Sequence, residues 1–273
     1  MTYMKVKAPL VSVIMGVCYK NDDLFKLKRA IKSILNQTYT NLEILICEFG
    51  STEEAISYLK YIETIDERVC LIDGFSADTL TKKLNICILH SNGDFIARMD
   101  DDDECDCNRI KKQMDFLISN PEYAVVGCCV NEIDAETIRT RILPVRPSLK
   151  DFKFTFPFVH PSLLFRKEVI VNIGMYSESK YQIGCDDYDL MLRIYKNGYI
   201  GANLQDVLLN YSIEKSQIKK RPYKLFVNEA ITRFLRFKEL NLLPKWLIWV
   251  IKPLIVGIMP RKMVYILKNI FRR

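Results

Sequence analysis

Short apolar runs and amphipathic stretches alternate along the first hundred residues. Residues 11–17 (Val-Ser-Val-Ile-Met-Gly-Val) form a continuous apolar run, the pattern of a strand buried on both faces. Residues 23–37 follow with Leu27, Ile31, Ile34 and Leu35 on one helical face. A second buried strand is predicted over 42–47, ended by Gly50-Ser51-Thr52. Ser51 or Thr52 suits the cap of the next helix, with Glu53 and Glu54 in its first turn, where acids favour the helix dipole. A third strand is predicted at 69–72, a helix at 79–89, and a fourth strand at 94–99 that runs straight into Asp100. Beyond it the pattern predicts a helix at 109–119, a strand at 124–130, an apolar stretch at 161–165, a helix at 187–196 and a strand at 207–211. Strand and helix in alternation imply an α/β fold with a mostly parallel, Rossmann-like sheet flanked by helices.

Parallel sheets of this kind bind ligands beyond the carboxyl ends of their strands. Three such ends are polar or unusual here: 16–21, 48–52 and 100–104. No Gly-x-Gly-x-x-Gly follows the first strand, and no Walker-type Gly-Lys-Ser/Thr occurs, which disfavours NAD and P-loop chemistry. Asp100, Asp101, Asp102, Asp103 and Glu104 are consecutive. Such a run suits a solvated acidic turn or a hard divalent cation, Mg²⁺ or Mn²⁺, and its position at the end of a buried strand favours the cation. Positions i and i+2 of an extended segment face one side, so Asp100 and Asp102 can look into one site.

Composition divides the chain in two. The 273 residues carry a net charge of +7, but residues 216–273 hold 14 Lys/Arg against Glu229 and Glu239, a balance of +12. The first 215 residues balance at −5. This gives an expected boundary between a catalytic domain, 1–215, and a basic helical tail, 216–273. A nucleic-acid binder would spread positive charge over its working face, so no nucleic-acid partner is expected. In the tail, Met263, Ile266, Leu267, Ile270 and Phe271 recur at helical spacing among Arg261, Lys262, Lys268, Arg272 and Arg273. Trp246, Trp249 and Tyr265 add residue types that favour a membrane interface. The tail reads as a basic amphipathic helix for an anionic membrane surface, or as a helix packed on the body with a solvated basic face. Self-association through 246–259, giving a homo-oligomer, is a third reading. No stretch is long and apolar enough to span a bilayer. The nine scattered cysteines and the absence of a leader suggest free thiols in a cytoplasmic protein, peripheral at the inner face of the membrane.

Several motifs occur in an order that resembles the family 2 glycosyltransferases of GT-A fold, over about residues 9–215. They are Pro9 to Asn21, Ala30-Ile-Lys-Ser-Ile-Leu-Asn-Gln-Thr-Tyr39, Gly50-Ser-Thr52, the strand from Asp94 into Asp100–Asp103, His160-Pro-Ser-Leu-Leu-Phe-Arg166, and Asp186-Asp-Tyr-Asp-Leu190. The resemblance implies an inverting, metal-dependent transfer from a nucleotide sugar to a glycan or lipid-diphosphate-linked acceptor in surface-polysaccharide synthesis, with a hexosyl or N-acetylhexosaminyl group moved. It implies that Asp100 and Asp102 form the Asp-x-Asp pair, Asp102 being the direct metal contact, and that Asp100 and Asp101 lie near ribose and diphosphate. Glu48, Val17 and Tyr19 would form the base pocket, Lys83 and Asn85 would approach the diphosphate, and Asp187 would be the catalytic base. Asp186 and His160 would lie on the acceptor side. Taken alone, Asp187 also suits a helix N-terminus and His160 a structural role.

Three departures from the family pattern stand out. Phe49 replaces the second acid after Glu48, Lys20 is inserted in the first loop, and Asp186 stands where a Glu is usual. UDP is the favoured nucleotide, with Phe49 leaving its identity open. Two other readings remain at this level: a nucleotidyltransferase on a similar sheet, and an inactive membrane-bound partner that keeps the fold.

Overall fold

The computed structural model describes residues 8–21, 23–134, 137–213, 221–260 and 263. β1 (Val11–Val17) lies between β2 (Leu42–Glu48) and β4 (Phe95–Arg98), and β3 (Val69–Asp73) flanks β2, all four parallel. Their apolar side chains alternate between two cores. Val11, Val13, Met15 and Val17 enter one, while Ile14, Leu45 and Cys47 enter the other. The first core takes the apolar faces of α1 (Phe25–Leu35), α2 (Glu53–Ile65) and α4 (Arg109–Ser119). The second takes α3 (Leu80–His90) and α6 (Asp186–Lys196). A sheet covered on both faces explains why its strands read as unbroken apolar runs. Thr52 caps α2 by accepting from the Ala55 N–H at 3.3 Å, as the sequence suggests, and Thr79 caps α3 in the same way.

Beyond β4 the sheet becomes mixed. β8 (Leu164–Arg166) runs antiparallel between β4 and β6 (Tyr123–Ile133). β6 pairs in parallel with β9 (Ile200–Ser212), which ends the sheet against the two-residue β5 (Glu104–Cys105). β7 (Ile138–Arg141) hangs from the far end of β6, and the short α5 (Lys167–Asn172) follows β8. The order β3-β2-β1-β4-β8-β6-β9-β5 is thus a mostly parallel, Rossmann-like mixed sheet flanked by helices, as the sequence implies. The strand expected at 207–211 is the end of a 13-residue strand. Its earlier part is masked in sequence because its polar residues bond inward: Asn203 donates to the carbonyls of Pro144 and Pro157.

The basic segment packs on the body from 221 to 258, the second of the readings its sequence allows. α7 (Tyr223–Glu239) holds the chain leading to α6: Asn228 Nδ2 donates to Lys180 O and Ile183 O, and Thr232 Oγ1 donates to Tyr181 O. Arg236 joins Arg193 in pairing with the buried Asp189 of α6. α8 (Leu247–Ile258) packs on α7, with Gly257 so close that a Cβ there would stand 2.9 Å from the rings of Phe226 and Tyr223. Phe237, Trp246 and Val250 belong to the second core. Trp246, offered by the sequence as a membrane-interface residue, is only 6% exposed and packs edge-on against Phe237, because the core gains more from its large ring than the surface would. Charge balance marks a boundary at 215/216 that packing does not respect. The amphipathic repeat at 261–273 lies outside the described residues, Met263 excepted.

Candidate active site

β1, β2 and β4 end on one edge of the sheet, and the chain that leaves them builds one side of the candidate site. Val17 is paired with Glu48 in register. Past them the two loops lock together: Phe49 N–H donates to Val17 O, Tyr19 N–H to Ser51 Oγ, and Thr52 N–H to Tyr19 O. Glu48 Oε1 accepts from the Ser51 N–H at 2.8 Å and so closes its own turn. Gly74, at the end of β3, donates to Glu48 O at 2.8 Å, and a Cβ there would lie 2.7 Å from that oxygen, so no larger residue fits. Lys83, buried on α3, donates to Val17 O at 2.6 Å and to Phe49 O at 2.8 Å. Its ammonium ties the two strand ends together from below. The Phe49 side chain, which replaces the usual acid, is 39% exposed.

β4 pairs with β1 only as far as Ile14–Arg98, so the acidic run leaves the sheet three residues before β1 ends. Arg98 is fully buried there. Its guanidinium donates to Met99 O and to Asp100 Oδ1. It is the buried cation beside a crowd of carboxylates. Asp101, deprived of water and flanked by Asp100 and Asp102, has its carboxyl pushed up to about 6. Burial and the same neighbours push Asp103 up to about 9, although Ser212 N–H donates to it at 2.7 Å. The turn is held in place by Ser212 Oγ, which donates to Asp102 O at 2.5 Å, and by Arg29 Nη2, which donates to the same oxygen at 3.2 Å.

This site carries more negative charge than Arg98 offsets. Its donor atoms are hard carboxylate oxygens, the chemistry that fits Mg²⁺ or Mn²⁺. Among the described residues no three His, Cys, Asp or Glu side chains converge into a protein-only metal cage. One or two carboxylates, with phosphate oxygens completing the shell, is the arrangement Mg²⁺ commonly takes.

The start of α6 faces the same cluster. Asp186 and Asp187 open α6 at the end of the loop held by α7. Asp187 Oδ1 accepts from the Tyr188 N–H at 2.7 Å. Burial and the charge of Asp186 push the Asp187 carboxyl up to about 7. Asp186 is also raised by burial, while Arg98 pulls it down. Two tyrosines connect the acidic groups. Burial and the charges of Asp100, Asp103, Asp187 and Asp102 hold the Tyr211 hydroxyl in its protonated form. Tyr176 is raised by burial and by Asp186, Asp187 and Asp100. His160 Nε2 lies 2.8 Å from Tyr176 Oη, and burial beside Arg98 pushes its pKa well below the usual range, so the imidazole is neutral.

The residues singled out from sequence therefore fall into three groups. Val17, Tyr19 and Glu48 form the rim where β1 and β2 end. Asp100, Asp101 and Asp102 on one side and Asp186 and Asp187 on the other act on the same buried Tyr176, Tyr211 and Arg98, with His160 beside Tyr176. Lys83 and Asn85 have their polar groups engaged within the protein. The Lys83 ammonium is taken up by two backbone carbonyls. Asn85 uses its whole amide on the segment before α6: Nδ2 donates to Tyr176 O and Glu178 Oε1, and Oδ1 accepts from Tyr176 N–H. Arg98, Tyr176 and Tyr211 were not foreseen. Arg98 had a legible signal: it is a lone cation inside the apolar strand Phe-Ile-Ala-Arg-Met.

Comparison with known proteins agrees with this geometry. The sequence profile of glycosyl transferase family 2 matches residues 12–174. A Bacillus subtilis protein named as a glycosyltransferase, EpsE, is 32% identical over 256 residues, spanning 92% of this chain and 90% of that one. The Escherichia coli UDP-Gal:alpha-D-GlcNAc-diphosphoundecaprenol beta-1,3-galactosyltransferase is 29% identical over 99% of both chains. Among solved structures, the mannosyltransferase PcManGT from Pyrobaculum calidifontis, in complex with GDP-Man and Mn²⁺, matches with a TM-score of 0.66 at 16% identity, covering 92% of this chain and 74% of that one. S. aureus TarS 1-349 in complex with UDP-GlcNAc matches at 0.65 and 14% identity, covering 89% and 73%. At such identities the likeness speaks for the fold, which is GT-A. With the acidic run at the end of β4, the paired aspartates opening α6 and a profile match over more than half its length, the chain belongs to glycosyl transferase family 2.

Proposed function

We propose that this chain moves a sugar from a nucleotide-sugar donor to a lipid-diphosphate-linked or glycan acceptor in surface-polysaccharide synthesis, in a metal-dependent step that inverts the anomeric centre. What supports this reading is that Asp100, paired with the buried Arg98 at the end of β4, and Asp186 and Asp187, at the start of α6, act electrostatically on the same buried side chains, Tyr176 and Arg98, as Asp102 and Asp187 do on Tyr211. In this reading Asp102, with Asp100, holds Mg²⁺ or Mn²⁺. When bound, the ion supplies Lewis-acid stabilisation of the charge on a departing nucleoside diphosphate. Glu48, Val17 and Tyr19 bind the nucleoside, and Asp101 lies along the ribose and diphosphate. Lys83 acts by fixing the two loops that carry the base pocket. Asp187 takes the proton from the acceptor hydroxyl. A carboxyl poised near neutrality suits a general base, since it is both available and basic enough to help. One base and one leaving group on opposite sides describe a single displacement, hence inversion. Asp186, His160 and Tyr176 shape the acceptor side.

UDP is the proposed nucleotide. The E. coli relatives named for UDP-Gal and UDP-Glc transfer to GlcNAc-diphosphoundecaprenol support it, as they do a lipid-linked acceptor and a hexosyl group. A lipid-linked acceptor supports a position at the cytoplasmic face of the cell membrane. The test is nucleoside diphosphate release from a panel of UDP- and GDP-sugars, with a lipid-diphosphate acceptor and Mn²⁺ or Mg²⁺. Release should need the ion and should be lost in Asp102→Asn and Asp187→Asn. Unchanged release by Asp102→Asn removes the metal assignment, and unchanged transfer by Asp187→Asn removes the base. Pyrophosphate release from a nucleoside triphosphate would replace sugar transfer with nucleotidyl transfer.

A further inference from the structure

A helix on a globular protein normally turns one apolar stripe inward and a polar face to water. α8 does not. Its inward side, Trp246, Val250 and Pro253, is buried, yet its outward side is just as apolar. Leu247, Ile248, Ile251, Ile255 and Ile258 recur at helical spacing on that side, with Ile248 67% and Ile258 72% exposed. Lys252 is the one charged residue of the helix, and its ammonium donates to Phe154 O at 2.6 Å. Isolated exposed apolar residues are ordinary, but a contiguous row on one helix marks a surface that something covers.

We infer that this outward face of α8 seats the enzyme on an anionic lipid bilayer, lying in the plane of the interface. Length and charge support this occupant. Twelve helical residues reach about 18 Å, well short of the ~30 Å hydrocarbon core, so α8 lies on the membrane rather than crossing it. Basic residues flank the helix in sequence, Lys245 just before α8 and Arg261 and Lys262 just after it. Basic residues flanking an inward-dipping apolar face match an interface with acidic headgroups on either side of a shallow acyl layer. α7 packs against α8 and also fixes the loop leading to Asp186 and Asp187. The seat and the acceptor side of the site are therefore parts of one rigid assembly. This deepens the proposed function by adding an orientation relative to the bilayer, and it rests on the lipid-linked acceptor only for its purpose.

The test is co-sedimentation of the full chain with vesicles of phosphatidylcholine alone and of phosphatidylcholine with phosphatidylglycerol. The wild type should bind the anionic vesicles. Ile248→Ser/Ile255→Ser, whose side chains touch water in the free protein, should keep the wild-type melting temperature and lose binding by about tenfold or more. Charge reversal at Lys245 should weaken binding only on the anionic vesicles. Equal binding by the serine variant overturns the inference, as does equal binding of the wild type to both vesicle types. A wild type that is dimeric in detergent-free buffer and becomes monomeric in the serine variant would assign the face to a second copy instead. Donor hydrolysis in solution, measured in parallel, keeps the outcomes separate. Its absence in a wild type that binds vesicles counts against sugar transfer and leaves the membrane seat standing.

Discussion

Replacing Arg98 by Met tests the electrostatics of the site directly. Methionine has similar length and suits the apolar surroundings, so the packing cost is small. What is lost is the cation. Asp100 would remain with no partner for the oxygen that Arg98 now holds, beside Asp101, Asp102 and Asp103. Two unit charges at about 4 Å and an effective dielectric constant near 20 interact by about 4 kcal/mol. Removing one member of a buried ion pair costs about 3–5 kcal/mol by experience with other proteins. The carboxyl of Asp100 is 28% exposed, so water screens part of this, and a loss of about 3 kcal/mol is expected. Urea unfolding at pH 7 without divalent ions, followed by tryptophan fluorescence, measures it. The decisive comparison is Arg98→Met/Asp100→Asn. With the stranded charge removed as well, at least about 1 kcal/mol should return. A single variant within 0.5 kcal/mol of wild type, or a double variant that loses the sum of both single losses, would refute the idea that Arg98 acts as the counter-charge of the cluster.

With Asp187 raised to about 7, its base form grows as pH climbs, so kcat/KM should rise through about 7 and level off above it. Asp186→Asn removes a charge that holds Asp187 protonated, so the inflection should move to lower pH; an unmoved inflection would dissociate the pair. In the same window the folded protein holds a proton that the unfolded chain has released, so this group's contribution to stability is full in acid and is lost as pH rises through about 7, a trend visible in melting temperatures. Asn85→Ala, which strips three hydrogen bonds from the segment before α6, should cost about 1–3 kcal/mol and raise KM for the acceptor more than for the donor; equal changes in both would place Asn85 on the donor side after all.

Much of the first half of the fold was readable from the order of residues. Strands buried on both faces leave unbroken apolar runs, and the helices between them carry one-sided stripes, so β1 to β4, α1, α3 and α4 could be read nearly to their ends, and α2 at its start. β5 and β7 could not, being held by pairing with β9 and β6 rather than by any pattern of their own. The C-terminal helices misled for a different reason. Charge along a sequence reports composition, whereas Trp246, Phe237 and the Asp189–Arg236 pair show which side of each helix faces in. In the site, the carboxylates were legible because they are adjacent in sequence. Tyr176 and Tyr211 were not, since they reach the cluster only through the packing of distant loops. The hydrogen bonds of Lys83 and Asn85 within the protein were not legible, because their partners lie on distant loops.

Those two side chains have a consequence for how such a site can diversify. They lie two residues apart on α3 and grip opposite parts of the molecule: Lys83 the loops that leave β1 and β2, Asn85 the segment that leads to the aspartates of α6. At residue 176 Asn85 holds the backbone by both its N–H and its carbonyl, so this part of the grip is indifferent to the side chain carried there. Segments of different sequence can therefore be exchanged around 176 while the distance between donor and base stays fixed by one stiff helix. A graft of that segment from another member of the family should change which acceptor is chosen and leave the nucleotide preference where it was.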